Sequence, residues 1–419
     1  MRRCDKTVAA LAVAVTALLT GCVAQGRPVP ERPDLAALDV GAYSAEPLAE
    51  PRDETESDRD RYGRVLESAR MGEAIVDPVD VDPALTHPIN GTGGTPLPTP
   101  AKVTGFLANP VRNTLEVNRM LAGFAVGFAD RESGPRGPEV GTSRVLTVFL
   151  LRFPDAESAQ RAARDIDAVD TAVNPANVAV AVPEYPAAHA HWRPNVPTLA
   201  ATIAHESFVV SVLAGHTSAD SAILTGMARK AFDLQLARLR EFVATPRDRL
   251  AALPLDPEGM VRRMAPEAPG RWPFPAVAFI DKQLDAGWSG FVITTGVVYG
   301  RRAAALVVDR RRDTPYEAFA FNGFNALARY ADAGIARQAF TRARQTDAKT
   351  TALRPVQAPS VPDVYCMDAF DTPQPALARY SCRILYGRYV ATIFGRDSQD
   401  VRQRAAVQYG LLVRNEQEI

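Results

Sequence analysis

The chain is poor in the residues that usually announce a function. Beyond its first 21 residues no uninterrupted apolar stretch reaches the ~18–20 residues needed to cross hydrocarbon, so no permanent membrane helix is expected in the body of the protein. Neither charge is in excess, with 48 basic and 48 acidic residues. That balance excludes a whole-protein field favouring nucleic acid. Lysine is nearly missing, at positions 6, 102, 230, 282 and 349 only, and the arginine that replaces it reflects GC-rich codons rather than a polyanion partner. The cluster Arg310-Arg311-Arg312 lies between Asp309 and Asp313 and reads as a solvated face. No Gly-x-Ser-x-Gly elbow and no Ser-x-x-Lys pair is present, and Gly91 to Gly94 is not followed by the Lys-Ser/Thr of a phosphate loop.

What is there begins with an export signal. Met1 to Lys6 is short and basic, and Thr7 to Thr20 is an uncharged, mostly apolar run, the form of a cleaved leader and too short for a comfortable span. It ends in Leu19-Thr20-Gly21-Cys22, which resembles the lipobox of bacterial lipoproteins. The resemblance implies cleavage before Cys22, diacylglycerol on its sulfur and acylation, typically with palmitate, of the new amine. Two or more acyl chains hold a protein on a bilayer stably where one does so only marginally. The expectation is a protein lipid-anchored through Cys22 on the extracytoplasmic side of the cell membrane, with residues 22–36 as a Pro-rich tether.

Composition makes the remainder globular, since 47% of residues are hydrophobic and the length suits two or three domains. From about Gly105 onward one pattern repeats: an apolar β-rich run, a polar joint, then an amphipathic helix. Val145 to Leu151 leads to Asp155 as a cap and the stripe Ala156, Ala159, Ala163, Ile166. Phe208 to Leu213 leads to Ile223, Met227, Ala231 and Leu234. Phe291 to Tyr299 before Ala303 to Val308, and Tyr389 to Phe394 before Val401, Ala405, Tyr409 and Leu412, supply two more units. Thr314-Pro315-Tyr316-Glu317 has the signature of a helix start, with Gly334 as its stop. Two units precede a seam near residues 245–257 and two follow it. The predicted fold class is therefore α+β, with two similar domains over 37–248 and 255–419, each an antiparallel sheet with helices packed on one face.

Once Cys4 leaves with the leader and Cys22 takes lipid, Cys366 and Cys382 remain as an even pair in an oxidising compartment. They are expected to form a disulfide across two neighbouring strands, Val364 to Ala369 and Tyr380 to Leu385; two buried thiols are the alternative. Of five histidines, four are His189, His191, His205 and His216. Three imidazoles converging on a metal would make a hydrolytic centre, whereas the prolines around His189-Ala190-His191 place that pair in a loop, where structural roles are commoner. The tryptophans Trp192, Trp272 and Trp288 sit near Pro or Gly, and Trp272-Pro273-Phe274-Pro275 is the densest aromatic patch, suited to packing or to partner contact. Gly123 and Gly127, four apart in an apolar run, read as close strand packing.

Leu38 to Tyr43, Arg70-Met71 with Pro78 and Asp82-Pro83, Leu121 to Phe128, Tyr380-Ser381-Cys382 and Gly387 to Ala391, in that order behind the lipobox, resemble an uncharacterised actinobacterial envelope lipoprotein family with a two-part domain of unknown function. The resemblance implies location and two-part architecture and carries no catalytic residue. The functional expectation is a non-enzymatic, cofactor-free envelope protein that binds a ligand or protein partner, with the membrane reached through Cys22 and no nucleic acid involved. The competing class is a metal-dependent envelope hydrolase using His189, His191 and His205.

Overall fold

The computed structural model describes residues 33–89, 93–134, 137–281, 290–308, 316–371 and 379–416. Cys22, most of the tether, Trp288 and Arg310 to Arg312 lie outside them. Leu38–Ile419 forms one compact unit.

The helices are α1 (Glu56–Met71), α2 (Pro78–Val81), α3 (Pro100–Val103), α4 (Val111–Val117), α5 (Ala156–Ala172), α6 (Ser221–Leu239), α7 (Arg301–Val307), α8 (Ala333–Lys349) and α9 (Ser398–Glu416). The strands of the N-terminal half are β1 (His87–Pro88), β2 (Gly94–Pro96), β3 (Ala122–Ala129), β4 (Val145–Arg152), β5 (Val178–Ala179), β6 (His189–Trp192), β7 (Thr198–His205) and β8 (Phe208–Gly215). The C-terminal half has β9 (Ala276–Asp281), β10 (Gly290–Gly300), β11 (Ala318–Asn322), β12 (Asn325–Arg329), β13 (Arg354–Val356), β14 (Val364–Asp368), β15 (Tyr380–Tyr386) and β16 (Tyr389–Gly395). They form two antiparallel eight-stranded sheets.

The first sheet runs β1-β3-β4-β8-β7-β6-β5, with β2 also on β3, and the second runs β13-β14-β15-β16-β12-β11-β10-β9. Within these orders β3-β4-β8-β7-β6-β5 and β11-β12-β16-β15-β14-β13 are the same path. The inserted helices match as well: α5 and α8 have 17 residues each, and α6 and α9 have 19 each. Aspartates start all four. Asp155 accepts from the Ser158 amide, Asp220 from Ala222 and Ile223, Asp332 from Ile335, and Asp397 from Gln399 and Asp400. Each satisfies amides that the first helical turn leaves unpaired. The halves are thus two copies of one topology, as the repeating sequence pattern suggested.

Phe291 to Val308 folds as the expected strand and helix, β10 and α7, while the counterpart of the β4–α5 unit is β12–α8. Two sequence expectations, at Tyr316 and Gly334, are corrected. Tyr316 and Glu317 lead into a β-hairpin rather than a helix: Ala318 to Asn322 pairs with Asn325 to Arg329, in keeping with the alternation of Ala318-Phe319-Ala320-Phe321. The turn uses Gly323 at φ +62°, a conformation open to glycine at little cost. Gly334 falls in the first turn of α8 instead of ending a helix.

Both sheets carry helices on both faces, one more layer than expected. On one side of the first sheet Val148, Leu150, Val210 and Val212 pack with Leu224, Ala228 and Phe232 of α6. On the other, Phe149, Leu151 and Val209 meet Ala159, Ala162 and Ile166 of α5, with Val111 and Leu115 of α4 behind them. In the second sheet α8 stacks Phe340 on Tyr365, centroids 5.4 Å apart, and α9 sets Tyr409 against Tyr386 on the opposite face. This double cover explains why every residue of β3 is buried. A Cβ on Gly123 would lie 2.9 Å from Leu151 Cδ2, the close packing its sequence context suggested.

Helix α1 joins the halves. Val65, Ala69 and Met71 share one core with Phe124 and Phe128 of β3 and with Val297, Tyr299, Ala303 and Leu306 of β10 and α7. At the end of α1, Glu73 accepts from the amides of Ala303, at 2.9 Å, and Arg302, capping α7 from across the seam.

Candidate functional site

Ahead of α1, residues 38–54 form a strap over the C-terminal half. Gln403 donates to Asp39 at 2.9 Å, Tyr43 to Asp400 at 3.4 Å, and Arg414 pairs with Glu46 at 2.9 Å. Ala45 fits against α9 where Gly410 leaves room, since a Cβ there would stand 2.7 Å from that of Ala45. Further on, Glu50 accepts from the Leu255 amide at 2.9 Å, so the strap also crosses the segment linking the halves.

Between strap and linker lies Trp272. It belongs to a small cluster with Tyr62, Leu255 and Val261, bordered by Leu48, Phe274 and Val298, and Tyr62 stacks on Phe274 at 4.9 Å. A bulge in β10 admits this segment: Gly296 has φ +60°, and a Cβ there would sit 2.0 Å from the Pro273 carbonyl oxygen. Bulges commonly re-aim chain near functional surfaces. Trp272 is 5% exposed, and its indole N–H has no acceptor among the described residues.

Trp272 lines two adjoining depressions. A narrow crevice is walled by Glu46, Leu48, Val261, Met264 and Leu411. An open groove, continuous with it through Leu48, Arg262 and Trp272, is lined by Glu50, Arg52, Arg271 and Phe274. Arg262 is steadied by Asp256, which accepts from its backbone amide at 2.9 Å and from its Nε at 3.4 Å. The combination of apolar walls, a few polar groups and a buried unsatisfied donor makes this the candidate site. A buried N–H without a partner costs about 1–3 kcal/mol, which an incoming acceptor would recover.

The histidines do not assemble. His189 and His191 lie on strand β6, not in a loop, with His189 opposite Thr202 and His191 opposite Ala200, whereas His205 ends β7 opposite Phe208. No group of three or more metal-ligating side chains occurs among the described residues. His191 is buried beneath α5, with Nδ1 2.7 Å from Asp167 and Nε2 3.5 Å from Asp170. Burial opposes its charge, but the hydrogen bonds and attraction of the two carboxylates outweigh this and push its pKa up to about 9. A doubly protonated ring has no lone pair for a metal. The signal was present in sequence as Asp167 and Asp170 one helical turn apart, though nothing local tied them to His191. His216 accepts from the Ser218 amide at 3.1 Å.

Cys366 and Cys382 are directly opposite on β14 and β15 and form the expected disulfide. Trp192 ends β6 and packs on the main core.

A second buried polar cluster braces the fold. Glu67 of α1 is fully buried; it accepts from Arg152 of β4 at 2.5 Å, from the Thr245 amide at 3.0 Å and hydroxyl at 2.7 Å, and from Arg70 at 2.5 Å. Arg152 also donates to the Thr245 carbonyl. Burial lowers the Arg152 pKa against the opposing pull of Glu67. Most of these groups are satisfied by one another, the Arg152 Nε being the buried donor left without an acceptor among the described residues.

Residues 54–255 match the model of the Domain of unknown function (DUF7373) N-terminal family, and residues 260–415 match its C-terminal counterpart. No curated protein matches. Among solved structures, the extracellular domain of PknH from Mycobacterium tuberculosis aligns at 8% identity over 40% of this chain and 93% of that one. Its TM-score of 0.27 is too low to carry an argument.

Proposed function

The chain belongs to the DUF7373 family, and from that premise we propose that it is a lipid-anchored cell-envelope protein that binds a ligand or partner without transforming it. The carrying observation is the buried, acceptorless indole N–H of Trp272 beside a groove with a mixed apolar and arginine lining. The anchor rests on Leu19-Thr20-Gly21-Cys22 and the short apolar run before it. The folded unit starts at Leu38, 16 residues after Cys22.

Two experiments test the reading. Cys22→Ala should abolish metabolic palmitate labelling and normal leader cleavage; unchanged labelling would remove the anchor. For binding, the indole resonances of the three tryptophans are followed in 15N-labelled mature protein during titration with peptidoglycan fragments and with phosphatidylglycerol. Movement of the Trp272 resonance, with affinity lost in Trp272→Phe, is expected. Appearance of cleaved products during the titration would show turnover and overturn the non-catalytic assignment.

A further inference from the structure

The two copies of the repeated fold carry opposite charge. Residues 54–255 hold 20 basic and 24 acidic side chains, a net −4, whereas residues 260–415 hold 22 basic and 13 acidic, a net +9. The equivalent helices show the difference most plainly. Helix α5 has Glu157, Asp165, Asp167 and Asp170 against Arg161 and Arg164; α8 has Arg337, Arg342, Arg344 and Lys349 against Asp347.

Their surroundings differ too. Helix α5 is sandwiched between its sheet and α4 and buries five side chains. Helix α8 packs inward on β14 to β16 and buries only Ala336 and Phe340. Its cations stand outermost and its acids are recessed. Arg342, Arg344 and Lys349 are exposed, as is Arg337, which pairs with Asp363, while Asp347 is held down by Tyr365 and Arg383 at 17% exposure.

We propose that the exposed face of α8 docks the C-terminal half onto an anionic lipid surface. Charge complementarity selects this occupant: clusters of about four to eight basic side chains bind acidic bilayers, each contributing while it lies within the ~8–10 Å over which salt leaves charge unscreened. The dipolar charge then leaves the acidic N-terminal half turned away from the lipid.

The test uses the mature chain carrying Cys22→Ala, so no acyl group contributes and the result is independent of the anchor. Sedimentation with phosphatidylcholine vesicles, with and without phosphatidylglycerol, should show binding only to the acidic vesicles, reversed by added NaCl. Combined Arg342→Gln, Arg344→Gln and Lys349→Gln should weaken it on the order of 100-fold. Combined Arg112→Gln, Arg164→Gln and Arg229→Gln, removing the same charge from the first half, should leave it intact. Thermal unfolding of both triple variants checks that they fold. Equal binding of the α8 variant, or equal binding to neutral vesicles, overturns the proposal. So does patch-dependent binding to soluble polyphosphate without vesicle binding, or patch-dependent dimerisation in sedimentation velocity.

Discussion

Replacing His191 with Phe removes the one buried cation between β6 and α5 while keeping a ring of similar size. The folded pKa of about 9 stands above the ordinary value of 6.5, so the folded state holds the proton more tightly than the unfolded chain. The resulting stability is fully present below about pH 6.5 and is lost as pH rises through about 9. At ~1.4 kcal/mol per pKa unit the ceiling is ~3.4 kcal/mol. Asp167 and Asp170 are 20% and 32% exposed, and solvent screening on that side reduces the figure to ~2 kcal/mol. Urea unfolding of parent and His191→Phe at pH 6 and pH 10 isolates the effect, because other titrating groups cancel in the difference. The parent's advantage should shrink by about 2 kcal/mol at the higher pH. A difference that stays constant between the two pH values would refute the assignment of a charged, doubly bonded His191.

Glu67→Ala should destabilise the fold by about 3–5 kcal/mol, because it leaves Arg152 buried without its counter-charge; a loss under 1 kcal/mol in denaturant unfolding would contradict that role. Paired replacement of Cys366 and Cys382 by Ala should cost about 3 kcal/mol, the loop-closure value for a link of this length, read as a lowered midpoint that reductant no longer changes. The register places Ala190 opposite Ala201 on β6 and β7 where the other copy has Cys366 opposite Cys382, and both alanines are buried. Ala190→Cys with Ala201→Cys should therefore cross-link on oxidation, seen as a joined peptide pair in non-reducing mass spectrometry; free thiols in the folded double variant would count against the equivalence.

How much of this was legible beforehand follows from the range of each interaction. Asp155 with its apolar stripe and the alternating cysteine strands are local signals, and they located α5, β14 and β15. The hairpin of β11 and β12 was misread because Thr314-Pro315-Tyr316-Glu317 mimics a helix start, while five-residue strands offer too few alternations to compete. Extra helical cover over the sheets did leave a local signal, since a strand buried on both faces loses the apolar–polar alternation of a one-faced strand, and Val145 to Leu151 and Phe208 to Leu213 are nearly continuous apolar runs. Most of the candidate site was illegible. Its donor, Trp272, belongs to a conspicuous sequence patch, but its burial depends on a strap more than 200 residues away in sequence, on the Gly296 bulge and on the outer face of α9.

What separates the two copies is more informative than what they share. Arg152 and Arg329 both end the second strand of their unit, each followed by an aromatic residue and, three positions on, by the capping Asp155 or Asp332. Arg152 is buried on Glu67, which α1 supplies, whereas Arg329 meets Glu258 and Glu317 near the surface. Equivalent arginines thus serve as a core brace on Glu67 of α1 in the first half and as a partly buried ion-pair partner of Glu258 and Glu317 in the second. The same contrast gives α5 the neighbour α4 on its outer side, with no counterpart over α8 among the described residues. A skeleton used twice needs its caps, strand order and core volumes in both places, whereas side chains that meet unequal surroundings need not match. The positions at which the copies differ are therefore where this protein's interactions are to be sought: the basic face of α8, and the strap and linker around Trp272, which lie outside the repeated strands and helices.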